Sequence, residues 1–517
     1  MSPRLHLFIF SALKSTYHLL VTCVALCLGA FSCKHSSRSE TLLAGKALAE
    51  KHCSSCHLLP DPTLLDKATW TNGVLPAMAE QLGIEVLEGN VYLHNKQSAL
   101  SSGDWARLTT YYETLAPEML SDTEKVAPTE DWSIFSVRKP KADSLIISST
   151  LLVDMDSSKN SIYTSDLENP GIYRYDNLAG KQLFMKLQSS AIDICFPSSQ
   201  QPEMIITCMG GMRALDVTKG QIFTLNRQGN SKLRLISDDL TRPIQTLPLD
   251  FNKDGLQDYL VCAFGHNRGG LYILKQKKNH IFEKVVIREI PGATDSIIRD
   301  FNKDGWPDVM TLFAHGDEGI WLFLNDQKGG FTTKSLLRFP SVYGSSSFQF
   351  ADVTHDGEPD IIYTAGDNSD FSRVLKPYHG LYIFEGKGDF KFKQKFFYPI
   401  HGCTKAIAAD FDQDGDMDIA TIAFFADFDK RPKETFLYFE QEKSASQIAF
   451  KTHAVPIYKD GRWICMNVQD YDGDGDNDIV LGNFSKGFLN QENVKPTWDI
   501  HMPYVLLENK TLPSKLQ

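Results

Sequence analysis

Five short acidic segments recur along the second half of the chain, and they constrain its fold more than any other feature. They read DFNKDGLQD (250–258), DFNKDGWPD (300–308), DVTHDGEPD (352–360), DFDQDGDMD (410–418) and DYDGDGDND (470–478), with starts 50, 52, 58 and 60 residues apart. Self-similarity at such a period marks a repeat architecture, in which each unit is one supersecondary motif. Each acidic segment runs into a short apolar stretch (YLVCAF, VMTLFA, IIYTA, IATIAF, IVLGNF) of strand length.

The shared pattern is D-x-[DNT]-x-D-G-x-x-D. Alternate side chains at positions 1, 3 and 5 point inward, the glycine turns the backbone, and position 9 closes the ring, an arrangement of hard oxygen donors suited to calcium. The expected ligands are Asp250, Asn252, Asp254 and Asp258; Asp300, Asn302, Asp304 and Asp308; Asp352, Thr354, Asp356 and Asp360; Asp410, Asp412, Asp414 and Asp418; and Asp470, Asp472, Asp474 and Asp478. About five calcium ions are expected, with the weakest site at the loop carrying Thr354. An EF-hand starts the same way but needs a glutamate at position 12 and flanking helices. Position 12 here is Val261, Thr311, Tyr363, Thr421 or Leu481, each inside an apolar run, so EF-hands are excluded.

These loops resemble FG-GAP/VCBS repeats of the integrin-α type. The resemblance implies a β-propeller over 146–512, with four strands per repeat and the acidic loop between the first and second. Two degenerate copies fit upstream, one opening at Asp154 and Asp156 and one over Cys195–Glu203, so seven blades are expected. Strand alternation then puts the second-to-third connections at the opposite end from the acidic loops. His266, His315, Asp370, Lys376 and His379 fall in those connections, where long loops tend to carry function.

A different chemistry precedes the repeats. Cys53-Ser-Ser-Cys56-His57 is a C-x-x-C-H run, the spacing for covalent c-type haem attachment with His57 as proximal iron ligand. Residues 40–52 read as a helix, which disfavours a thioredoxin-type motif, and the next cysteine is Cys195, too distant for a zinc pair. Residues 40–120 resemble a small class I cytochrome c. Gly45 and Leu48 precede the motif as in that family, and a second helix (DWARLTTYYETL) presents Trp105, Leu108, Tyr111 and Tyr112 at helical spacing. The resemblance implies one covalent haem c with a sixth ligand. Met78 is the first choice, with His94, Met119 or an open sixth position as alternatives. The expected fold is thus a small all-α haem domain followed by an all-β seven-bladed propeller, joined by a proline-containing linker at 121–145.

The first 32 residues read as a signal peptide: Arg4 and Lys14 precede a 13-residue apolar run, too short to span a bilayer. Ala30–Cys33 resembles a bacterial lipobox, which implies lipidation of Cys33 and a tether over 33–39. The expected location is the periplasm or cell surface, anchored to a bacterial membrane. A formal net charge of −11 argues against nucleic acid as a partner, and the acidity is concentrated in the loops that ask for cations. The leading functional expectation is an exported electron-transfer protein whose propeller docks a redox partner protein or a small substrate. The alternatives are a propeller oxidoreductase feeding its own haem, or a glycan- or protein-binding module.

Overall fold

The computed structural model describes residues 38–177, 180–196, 203–213, 215–226, 232–369, 374–443, 448–486 and 494–514. The signal segment and Cys33 lie outside the described residues, as do Asp370 and most of the degenerate loop before Glu203. The chain divides into two compact units: one holds 38–55 and Asp61–Met119, the other Cys56–Pro60 and everything from Leu120 onward.

The first unit is mainly helical. A helix over 38–52 crosses the helix Ser102–Leu115, whose N-terminus is capped by Ser101 accepting from the Asp104 amide at 3.1 Å. A glycine inside a helix costs about 1 kcal/mol relative to alanine, so Gly45 needs a reason. The reason is close approach: a Cβ there would stand 2.3 Å from the Arg107 carbonyl oxygen and 2.7 Å from Tyr111 Cβ. Trp105, Leu108, Tyr111 and Tyr112 are all buried, as their spacing predicts. Trp70 packs on Tyr112 with ring centroids 4.3 Å apart and donates its indole N–H to the Pro62 carbonyl at 2.8 Å.

The second unit is a seven-bladed β-propeller of four-stranded antiparallel blades, one of which gains a fifth strand at its edge. The first strands of the blades are Thr150–Asp156, Ala191–Cys195, Pro243–Leu249, Ala293–Arg299, Ser345–Ala351, Cys403–Ala409 and Trp463–Gln469. In the five clear repeats the second strand begins on the ninth residue of the acidic loop, as at Asp258–Ala263, and every residue of it is buried. These strands read as continuous apolar runs because both faces of a blade pack on neighbouring blades. The outer strands, such as Phe331–Arg338, are largely exposed. Each first pair carries a register shift near its start, as between Pro243 and Gln245, a bulge that increases local twist.

Ring closure uses residues read from the sequence as linker. Phe135–Arg138 supplies the fourth strand of the seventh blade, antiparallel to Tyr504–Asn509. Thr129–Glu130 adds the parallel fifth strand to the edge of the sixth blade. Between Leu120 and that strand, Lys125 forms a buried ion pair with Glu434 at 2.7 Å and donates to the Pro399 carbonyl. Phe135 is buried in the core between the last two blades, edge-on to Tyr438 at 5.2 Å. Two-residue strands and buried lysines have no periodicity, which is why this span looks like a linker in the sequence.

The first blade also corrects the sequence alignment. Its turn spans only four residues, since Asp156 pairs directly with Ser161. Asp154 and Asp156 therefore lie within the first strand rather than in a cage, and Asp154 accepts from Gln469 Nε2 at 3.3 Å.

Gly45→Val tests the helix crossing. Forcing a branched side chain into that contact should destabilise the helical unit by about 1–3 kcal/mol, read as a lower helical melting transition by circular dichroism. An unchanged transition would contradict the close approach.

Candidate cation loops

All five acidic loops adopt one backbone path. Position 4 is left-handed in each (Lys253, Lys303, His355, Gln413, Gly473), and the glycine at position 6 is left-handed as well, with φ from 79° at Gly255 to 109° at Gly475. Position 6 thus demands glycine, while position 4 tolerates other residues at a cost. This path turns amides toward the carboxylate at position 1. Asp250 accepts from the amides of Asp254 and Gly255 at 3.1 and 2.9 Å, and Asp300 from those of Asp304 and Gly305 at 3.0 and 2.7 Å. Asp352, Asp410 and Asp470 each accept from the glycine at position 6. Position 5 is held by the amide two residues on, as at Asp254, Asp304, Asp356, Asp414 and Asp474.

The aspartate at position 9 does a second job. In every loop one of its oxygens accepts from the amide of position 2, and the other from an amide at the end of the third strand. For Asp308 these donors are Phe301 at 3.0 Å and Asn325 at 2.8 Å; for Asp360, Val353 and Gly386, both at 2.9 Å; for Asp478, Tyr471 and Asn509, both at 2.9 Å. Asp258 and Asp418 make the same pair with Gln276 and Gln441 as outer donors. The side chain of the third-strand residue often reaches the preceding blade: Asn325 donates to the Phe251 carbonyl, Gln441 to Val353 and Asn509 to Phe411. The only sequence signal for this role was an Asn, Gln or Gly at the end of each third strand.

Hydrogen bonding does not satisfy the loops. Asn252 Oδ1, Asp352 Oδ1, Asp410 Oδ1, Asp416 Oδ1, Asp472 Oδ2 and Asp476 Oδ1 are shut off from solvent without a partner. Buried oxygens left in this way are costly and call for an explanation, such as an ion. In two loops the donors converge: oxygens of Asp410, Asp412 and Asp414, and of Asp470, Asp472 and Asp478, lie within 4.8 Å of one another. Burial, with a smaller contribution from the neighbouring aspartates, pushes the Asp258 carboxyl up to about 6 and those of Asp418 and Asp478 up to about 7. At Asn302 the amide oxygen is instead satisfied by the Asp304 amide. Thr354 donates its amide to Asp360 at 2.9 Å.

The connections at the other end of the strands hold the remaining candidates. The His266 and His315 rings stack at 5.7 Å. Lys376 and His379 are buried rather than solvated, and burial followed by the Lys376 charge holds the His379 imidazole well below its ordinary value. Glu318, which sequence reasoning missed, is 2% exposed and accepts from the Ser345 amide and hydroxyl at 3.0 and 2.6 Å. Burial pushes its carboxyl up to about 8.

In the C-x-x-C-H run, the helix ends at residue 52 and the Cys53 amide donates to the Ala49 carbonyl at 2.9 Å. Cys56 is exposed, while Cys53 and His57 are half-buried. His57 Nδ1 lies 3.0 Å from the Leu58 carbonyl oxygen, so an Nδ1–H donor leaves the Nε2 lone pair available. Met78 is half-buried in the helix Leu75–Gln81, Met119 is largely exposed, and His94 Nδ1 lies 3.2 Å from the Leu100 carbonyl. No disulfide forms among the described residues, and no described helix is long and apolar enough to cross a membrane.

The FG-GAP-like repeat family matches residues 250–311 and 300–363. Those residues are FG-GAP-like repeats. They include the first three acidic loops, and the fourth and fifth share their pattern and backbone path. No curated protein matches the chain. Among solved structures, the chain is similar to the N-terminal domain of Nup159, at 11% identity and a TM-score of 0.42, covering 75% of this chain and 98% of that one. It is also similar to a chain in an S. cerevisiae structure of dbp5 bound to nup159, gle1, ip6 and adp, at 10% identity and a TM-score of 0.41, covering 75% and 99%.

Glu318 gives a pH test of the propeller that is separate from the acidic loops. A carboxyl whose value rises from 4.5 to about 8 on folding favours the fold fully below 4.5 and loses that contribution as pH climbs to 8. Glu318→Gln should therefore raise the melting temperature at pH 8 and change it little at pH 4.5. Equal shifts at both values would contradict this.

Proposed function

We propose that this chain is an exported, membrane-anchored c-type haem electron-transfer protein whose calcium-stabilised propeller docks a redox partner protein or a small substrate. The observation that carries the calcium part is the set of buried, unpartnered oxygens in the acidic loops. A cation ligated by positions 1, 3, 5 and 9 would satisfy them and offset the crowded charge. Its role is structural: it would fix the turns from which the clamped strands depart.

Support for the haem part is the C-x-x-C-H run directly after a helix that crosses a second helix at Gly45. Cys53 and Cys56 would hold the porphyrin through thioethers, and His57 would ligate iron through Nε2 while Nδ1 is oriented by the Leu58 carbonyl. Met78 is the proposed sixth ligand. Bound haem would supply one-electron transfer. The chain's own contributions are to orient the imidazole and select its tautomer. Lipidation at Cys33 would keep the protein at a membrane surface, and the propeller's loop-bearing ends would present partner-binding surface.

Two measurements test these parts separately. Protein expressed with haem-maturation machinery should keep its Soret absorbance through acid–acetone extraction, and Cys53→Ala with Cys56→Ala should lose it; extractable haem, or none, would overturn the haem reading. Chelation of calcium should lower the propeller's melting temperature. A loop with free calcium at about 100 times its Kd contributes about 2.7 kcal/mol. Melting that ignores both chelator and added calcium would leave the loops as simple turns.

A further inference from the structure

One connection at the end of the propeller opposite the acidic loops keeps apolar side chains in solvent. Residues 209–219 (MGGMRALDVTK) join the second and third strands of the second blade. Leu215 is 51% and Val217 40% exposed, and Met212 is half-buried. Asp216, between the two exposed residues, accepts from the amides of Asn267 and Arg268 at 2.8 and 2.9 Å. Those bonds pin the connection to the third blade and hold Leu215 and Val217 at the surface. Gly210 is fixed as well: its φ is 80°, and a Cβ there would stand 2.4 Å from the Lys219 carbonyl carbon.

A cavity of about 210 Å³ lies beside this connection. Its apolar wall is Leu151, Leu167, Pro170, Met209 and Met212, drawn from the first two blades. Two serine hydroxyls reach it but are engaged with backbone: Ser189 accepts from the Gly210 amide at 3.3 Å, and Ser190 donates to the Asp166 carbonyl at 3.0 Å. No charged side chain lines it, and exposed Gly211 and Gln188 complete the wall, so it opens to solvent. An apolar cavity of about 150 Å³ holds a benzene ring. This one has room for a leucine, methionine or phenylalanine side chain, and unbranched methionines in the wall adapt to any of the three.

The surroundings are basic. Across residues 209–219 and the neighbouring connection 265–269, Arg213, Lys219 and Arg268 are exposed and form no ion pair with a described residue. The one acidic side chain there, Asp216, is spent on amides. On the first-blade side Asp166 and Glu168 are paired with Lys181 and Lys486. This local positive excess stands on a chain of net charge −11 whose acidic loops lie at the other end of the strands. We propose that this surface docks an acidic segment of a partner protein, which seats one apolar side chain in the cavity. The inference deepens the docking role given to the propeller above and does not depend on the haem. The buried side chain is the anchor, and the charges steer and orient the segment.

The test titrates the full-length chain into dye-labelled synthetic peptides in which a central phenylalanine, leucine or methionine is flanked by glutamates, read by fluorescence anisotropy. At least one of them should bind, and replacing its central residue by serine should weaken binding at least tenfold. Gly211→Ile fills the cavity where an added Cβ meets no atom within 4 Å, so it should leave the melting temperature unchanged and weaken binding at least tenfold. Arg213→Glu with Lys219→Glu should also weaken it and remove its sensitivity to added salt. Peptide binding that survives all of these changes would overturn this site while leaving partner docking in place. Binding by none of the peptides would overturn the docking surface itself, as would binding of phosphatidylglycerol vesicles in their stead, which would mark a lipid surface. The Soret measurement reports on the haem separately, so the two readings fail independently.

Discussion

The propeller depends on one repeated interaction: in five of its seven blades a buried aspartate starts the second strand, with its two oxygens shared between the acidic turn and the end of the third strand. A carboxylate accepting two backbone amides in a dry setting ties the acidic turn to the far end of the third strand, just beyond the ladder that pairs it with the second. The amide side chains of Asn325, Gln441 and Asn509 carry the connection into the preceding blade. Turn and blade are thereby fixed by one residue type in five of the seven blades.

That clamp has an electrostatic consequence. The carboxylate faces a turn that presents more oxygens than its amides can satisfy, in a setting where burial already disfavours ionisation. Cation binding would relieve this strain at the site that holds the blades together, which couples metal content to the stability of the whole ring. Ring closure works by separate physics, the apolar packing of Phe135 and the buried Lys125–Glu434 pair. Loss of cations should therefore loosen the acidic end of the blades while leaving the closing strand in place.

The repeated loops made the blade count, the strand order and the position of the acidic turns legible, because a nine-residue pattern with an obligatory glycine survives as a string. The buried aromatic stripe of Ser102–Leu115 was equally plain from helical spacing. Three features were not. The closing strand Phe135–Arg138 is too short to show alternation. Asp154 resembles a cage residue until the four-residue turn after Asp156 places it inside a strand. The clamping role of Asp258 and its four counterparts involves backbone amides, which leave no mark on a sequence.

The central claim is that the acidic loops are cation cages built onto a structural clamp. Native mass spectrometry of the full-length protein purified in calcium tests it most directly. Retention of about five calcium ions, released by chelator and restored on readdition, is the predicted result. A mass equal to that of the metal-free chain under the same conditions would contradict it.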